Sequence, residues 1–213
     1  MRVDNEVPDT LLLLEHPPVI TLGKSGKTAN LLVSEDELRR RGIGLYRIER
    51  GGDITFHGPG QLVGYPVFHL KQGLVGVRPF VERVEQALVN ALGRLGVDAG
   101  TRPGYVGVWC GQRKIASIGI AVKRWVTFHG FALNVSTDLS YFELMNPCGL
   151  GEVRMTSVRE EGGNDSDAEV RAKVAAGFEA VLGRQFQRNL PRSLTSLTNG
   201  LSDSAMASAS ACE

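Results

Sequence analysis

Long apolar runs are missing from this 213-residue chain. No stretch approaches the ~18 residues that a membrane-spanning helix needs, and the leucines at 11–14 stop at Glu15. The opening MRVDNEVPDT has no apolar core of the kind a secretory signal carries. An excess of one charge is missing too. The 24 Lys and Arg residues face 23 Asp and Glu, a formal net charge of +1. That balance leaves no electrostatic footprint for nucleic acid or an anionic membrane, and neither is expected as a partner. Cysteine is sparse. Cys110, Cys148 and Cys212 are too few and too widely spaced for a disulfide framework or a zinc site. A cytoplasmic, reducing setting is therefore expected. None of His16, His57, His69 and His129 pairs with another at i,i+4, so no metal is expected. The Walker lysine spacing is absent, no GxGxxG opens a helix, and no nucleotide cofactor is expected.

What the chain does have is a stretch dense in glycine and proline from Glu49 to Phe68, ERGGDITFHGPGQLVGYPVF. Glycine and proline exclude a helix there. Apolar residues alternate through it, at Ile54 and Phe56 and then at Leu62, Val63, Tyr65 and Val67. The pattern predicts two strands joined by a glycine-bent loop that carries Thr55, His57 and Gln61. Glycine lets backbone amides approach a ligand closely.

The rest reads as an ordered domain over 1–188 and a Ser/Thr/Ala-rich tail over 189–213 that is expected to be disordered. Thr10–Glu15 and Val19–Leu22 read as buried strands separated by Pro17 and Pro18. Ser34 with Glu37 predicts a short helix ended by Gly42. Gly44–Arg50 alternates as a strand, and Lys71–Pro79 reads as a loop. Apolar positions 81, 84, 88, 91, 92 and 95 predict a helix. Tyr105–Cys110, Lys114–Val122 and Val126–Val135 predict an antiparallel meander, with turns at Gly111-Gln112 and Lys123-Arg124. Tyr141–Leu150 reads as irregular. Ser166 and Glu169 open a last helix that runs to about Phe186.

The candidate nucleophile is Cys148, in Asn146-Pro-Cys-Gly149. A lone cysteine is most often a small buried hydrophobe, the reading that suits Cys110 at the end of an apolar strand. Pro147 and Gly149 argue for exposure of Cys148. A free thiol is only a few per cent thiolate at pH 7 and needs a positive or basic neighbour. Lys114, at the start of a strand of small and apolar residues, is the candidate neighbour, although most such lysines are simply solvated. His57 and His129 share an aromatic–His–Gly context, which suggests two loops meeting at one place, with His129 in a supporting role. His16 and His69 read as structural. This chemistry favours acyl transfer through a thioester.

Four blocks then point to a family. ArgGlyGlyAspIleThrPheHisGlyProGlyGlnLeuValGlyTyrPro at 50–66, LysIleAlaSerIleGly at 114–119, HisGlyPheAlaLeuAsn at 129–134 and AsnProCysGly at 146–149 resemble the lipoyl(octanoyl) transferases, over roughly residues 9 to 185. The resemblance implies an α/β fold: a mixed larger β-sheet and a smaller sheet flanked by helices, as in the biotin and lipoate protein ligase catalytic domain. It implies transfer of an octanoyl group from octanoyl-acyl carrier protein to a lysine of lipoyl domains, those of 2-oxoacid dehydrogenase complexes and the glycine cleavage H protein. By motif position Cys148 would carry the acyl thioester and Lys114 would lower its pKa. The acyl pocket would be lined by Arg50, Gly51, Gly52, Asp53, Ile54, Thr55, Phe56 and His57, by Ser117, Ile118 and Gly119, and by Gly130, Phe131 and Ala132. Family members carry a strand and a helix ahead of the block that begins here at Glu6. Three other readings stay open: an ATP-dependent lipoate or biotin ligase on the same fold, an amidotransferase that moves octanoate between lipoyl domains, and a non-catalytic acyl- or cofactor-binding module.

Overall fold

Strands and helices follow one another along the chain much as the patterning predicts. A computed structural model of the chain describes residues 7–71, 76–146, 153–183 and 185–186. The strands are β1 (Thr10–Leu14), β2 (Val19–Leu22), β3 (Gly44–Arg47), β4 (Ile54–His57), β5 (Gln61–Val67), β6 (Gly100–Arg102), β7 (Tyr105–Cys110), β8 (Arg113–Lys123) and β9 (Val126–Asn134). The helices are α1 (Glu35–Arg40), α2 (Val77–Arg94) and α3 (Asp167–Leu182). Cys148, Cys212 and the tail expected over 189–213 lie outside the described residues.

The strands form two sheets. The larger has six strands in the order β1-β5-β9-β8-β7-β6, and the smaller has three, β3-β2-β4. All strand pairings in the larger sheet are antiparallel, and a parallel bridge between Lys114 and Met155 sits at its margin. The smaller sheet is mixed, with β2 parallel to β3 and antiparallel to β4. Pro17 and Pro18 thus mark the point where the chain leaves one sheet for the other, and the glycine-bent loop after His57 is where it returns.

One face of the larger sheet is covered by α2 and α3. Phe80, Val84, Leu88 and Leu92 of α2 meet Val170, Val174 and Phe178 of α3 over Leu62, Val108, Ile115 and Leu133 of the sheet. Helix contact is close at Gly177, where a Cβ would lie 2.3 Å from the Ala87 carbonyl oxygen. The smaller sheet has its own core, built from Ile20, Leu22, Ile54 and Phe56 with Leu38 of α1 and Phe142, Leu144 and Met145. Ser166 and Glu169 form the expected capping box of α3, and Gly183 closes that helix in the left-handed conformation.

The structure corrects some boundaries. Helix α2 begins at Val77, inside the expected loop. Pro79 does not prevent this, because amides of the first turn have no intrahelical partner to lose. The β8–β9 turn is centred on Arg124 and Trp125, with φ of 50° and 67°, the geometry of a tight two-residue hairpin. Tyr141–Leu144, the described start of the stretch expected as irregular, belongs to a 3₁₀ segment, Leu139–Leu144. Strand β6, at three residues, is too short to show a periodic signal.

Candidate active site

A cavity of about 300 Å³ lies between the two sheets, at the lower end of the range for small-molecule sites. Its floor is the face of the larger sheet turned away from the helices. There the β8–β9 register pairs Ser117 with Ala132 and Gly119 with Gly130. Two successive cross-strand pairs of small residues leave space that larger side chains would fill. Backbone also approaches closely. A Cβ at Gly130 would lie 2.0 Å from the Gly64 carbonyl oxygen, and one at Gly119 would lie 2.7 Å from that of Gly51. Ile118 and Phe131 border the cavity but belong to the helix-facing core, and the Phe131 ring stacks on Phe178 at 5.6 Å.

The roof is the smaller sheet and the loop before β4. Arg50 is buried, with 7% exposure. Its guanidinium donates to the Thr21 carbonyl at 2.7 Å and to the Thr21 hydroxyl and the Gly51 carbonyl at 3.0 Å. The segment 50–53 is laced to 23–25 by backbone bonds from Gly23 to Asp53, Lys24 to Arg50 and Ser25 to Gly52. The Asp53 carboxylate accepts from Asn30 Nδ2 at 2.5 Å. Gly51 does not line the cavity. Its N–H donates to the Ile120 carbonyl at 3.3 Å and ties roof to floor. Strand alternation separates the β4 residues. Thr55 and His57 face the cavity, whereas Phe56 turns into the small-sheet core and stacks on Tyr141 at 4.3 Å. Of the residues expected to line the pocket, Gly51 and Phe56 are therefore the two that do not. Ile54, with 2% exposure, adds an edge.

Lys114 reaches the cavity because of a bulge. On β7 and β8, Val108 pairs with Ala116 but Trp109 pairs with Lys114, so Ile115 is an extra residue. Such a bulge reverses the phase of side-chain alternation. Ile115 is driven into the helix-facing core, with 0% exposure, and Lys114 turns to the cavity. Its Nζ stands 5.2 Å from the centroid of the Trp109 ring, in cation–π range. The chain has glycine at 107, where φ is 128° and a Cβ would lie 2.6 Å from Lys114 Cε. Behind that gap, Glu85 of α2 accepts a hydrogen bond from the Gly107 N–H at 2.8 Å. Burial raises the Glu85 carboxyl pKa, with the Gly107 bond and Lys114 opposing the shift.

Three histidines enter the cavity wall. His16, read as structural from the sequence, bonds through Nε2 to the Tyr65 hydroxyl at 2.5 Å, and its ring lies 5.9 Å from that of His57. Nothing local to His16 signals this; the pairing of Leu14 with Val63 across β1 and β5 brings the two segments together. His129 sits within β9 at φ 58°, an uncommon left-handed conformation for a residue with a side chain. Burial pushes the His57 pKa down to about 4, with Arg50, His16 and His129 adding to the fall and the Gln61 hydrogen bond opposing it. Burial, then Arg50, also lowers His129, and burial lowers His16. All three therefore favour the neutral form. Among the described cysteines, Cys110 is buried and its thiol is pushed up to about 11 by that burial, which makes it inert.

The lipoyl protein ligase A/B catalytic domain family matches residues 1–179. The octanoyltransferase of Solibacter usitatus is 49% identical over 180 residues, covering 84% of this chain and 81% of the relative. That of Dictyoglomus turgidum is 50% identical over 184 residues, covering 86% and 78%. Among solved structures, lipoate-protein ligase A bound with ATP superimposes with a TM-score of 0.75 at 24% identity, over 91% of this chain and 81% of that one. A bi-partite lipoate protein ligase from Thermoplasma acidophilum, solved in a study that included its E2 lipoyl domain, gives 0.74 at 24%, over 93% and 83%. At that identity the superpositions establish the fold alone. The chain belongs to the lipoyl protein ligase A/B catalytic domain family and, within it, to the lipoyl(octanoyl) transferases, which are acyltransferases.

Proposed function

We propose that this chain transfers an octanoyl group from the phosphopantetheine thioester of an acyl carrier protein to one lysine of a lipoyl domain, through a thioester on Cys148. The observation that carries the reading is the cavity itself. A floor of small residues carries, among the described residues, one re-aimed lysine, Lys114. An eight-carbon tail buried there would contribute on the order of 5 kcal/mol, at ~0.8 kcal/mol per methylene. Cys148 lies outside the described residues, but it is two residues beyond Asn146 and five before Val153 in sequence, and Val153 lines the cavity. A cation beside the thiol favours the thiolate. In the first step the sulfur takes the acyl group and the carrier thiol leaves. In the second, the lysine amine takes the acyl group and the Cys148 sulfur leaves. The acceptors proposed are lipoyl domains of 2-oxoacid dehydrogenase complexes and the glycine cleavage H protein.

Intact-protein mass spectrometry after incubation with octanoyl-acyl carrier protein, with ATP omitted, tests this. An octanoyl adduct is expected on the wild type and none on Cys148→Ala. No adduct on the wild type, or one that persists in Cys148→Ala, overturns the mechanism. A requirement for ATP would favour a ligase instead.

A further inference from the structure

The protonation of His57 is fixed from outside its ring. Among the described residues its ring makes one hydrogen bond, from Nδ1 to Gln61 Oε1 at 2.8 Å. Gln61 is itself buried, with 1% exposure. Its Nε2 lies 3.1 Å from the Phe56 carbonyl oxygen and 2.9 Å from Asn134 Oδ1. A backbone carbonyl accepts and never donates, so the Gln61 atom facing Phe56 must be the amide nitrogen. Asn134 is oriented in the same way, because its Nδ2 donates to the Thr156 carbonyl at 3.0 Å. Two backbone carbonyls thus pin the chain of amides, and flipping either amide would set oxygen against oxygen. Gln61 therefore turns its oxygen to His57. Nδ1 carries the proton, and in the neutral ring Nε2 keeps a bare lone pair. Burial together with the Arg50 charge keeps the ring neutral, and the ring stands in the cavity wall.

We propose that His57 Nε2 receives a hydrogen bond from the nucleophilic primary amine of the acceptor and aims that amine at the acyl carbon. The proposal rests on the cavity being the site of octanoyl transfer, as inferred above. An octanoyl thioester brings an alkyl chain and a carbonyl, and neither donates a hydrogen bond. A lone pair on the wall has nothing to pair with in that group. The amine brings N–H groups, and one of them held at Nε2 leaves the nitrogen's own lone pair directed at the carbonyl. A C–N bond then forms, the C–S bond breaks with its electron pair on sulfur, and one amine proton ends on the departing sulfur. His57 gains no proton overall. Gln61 and Asn134 act as positioning residues through His57.

Two measurements test this. In the first, ¹⁵N spectra of histidine-labelled wild-type enzyme at pH 7 should show His57 protonated at Nδ1 and bare at Nε2. A proton on Nε2 overturns the proposal, whether or not any variant folds. In the second, enzyme is loaded from octanoyl-pantetheine, and loading and transfer to a lipoyl domain are timed separately. In His57→Phe, transfer should fall about tenfold more than loading, the size of one lost hydrogen bond. His57→Gln, which offers an accepting oxygen, should recover part of the loss. Equal slowing of both steps would mean that His57 serves the pantetheine amides or the fold, and would overturn this proposal alone. Failure of the wild type to load would overturn the acyl-transfer reading and this one with it.

Discussion

The two walls of the cavity are made in different ways. The floor contributes space: Ser117, Gly119, Gly130 and Ala132 leave the face of the larger sheet bare, while its other face is packed by α2 and α3. The roof contributes fixed polar groups: Thr21, Arg50 and His57 are held by hydrogen bonds in and around the smaller sheet. A sheet with one face covered by helices can hold glycine pairs on the other, because its stability comes from the covered side. The small sheet has no such support from α2 and α3, and loop bonds lock it around segments 23–30 and 50–53. The largest expected effect therefore comes from filling the floor. Gly130→Ala sets a Cβ 2.0 Å from the Gly64 carbonyl oxygen and 2.5 Å from Pro66 Cδ. Both are parts of a paired strand that cannot yield cheaply, and the loss of stability should reach about 3 kcal/mol. Urea denaturation measures it. A change below about 1 kcal/mol would mean that the floor is softer than its register suggests.

Lys114 is the exception to the contrast, a charged group on the floor. Lys114→Met keeps the apolar stem and removes the ammonium. Octanoyl transfer should fall about 100-fold, the lower end for loss of a proton-transfer or charge-stabilising group, with the urea midpoint little changed. A loss below about threefold would detach Lys114 from the chemistry. The pH–rate profile should change as well, which a merely structural lysine would not bring about.

That residue also marks the limit of what sequence patterning conveys. The meander of β7 to β9, the capping box at Ser166 and the two strands around His57 were legible, because periodicity and capping are local. Straight alternation along Lys114–Gly119 puts Lys114 and Ala116 on one face and Ile115, Ser117 and Gly119 on the other. The structure reverses the first two, because the register with β7 shifts between Val108 and Trp109. A shift of that kind depends on a partner strand and leaves no local mark. The same holds for His16 and Tyr65, 49 residues apart and joined only through β1 and β5. Phe56 departs from its expected place for a simpler reason: a motif block lists neighbours, whereas a strand sends them to opposite faces. Trp109, whose ring stands beside Lys114, was hidden in an apolar strand for the same reason.

The smallest effect tests the roof by titration. His57 in the folded state is depressed to about 4 from an ordinary 6.5. Between those values the unfolded chain binds a proton that the folded chain refuses. Stability is therefore full above pH 6.5 and falls as pH drops toward 4, by up to about 1.4 kcal/mol per pH unit. His16 and His129, also lowered, act in the same direction. Carboxylates such as Glu37 and Glu169 are held below their ordinary 4.5, so their contribution is lost only below that value. Glu85, raised by burial, acts in the opposite direction as pH falls, so urea midpoints at pH 7.0, 6.0 and 5.0 isolate His57 through the comparison of wild type with variant. The wild type should lose stability across this series, and His57→Gln should lose less, since a buried amide has no proton to refuse. Identical slopes would show that His57 accepts its proton in place, and that water enters the roof beside the His57–Gln61 hydrogen bond.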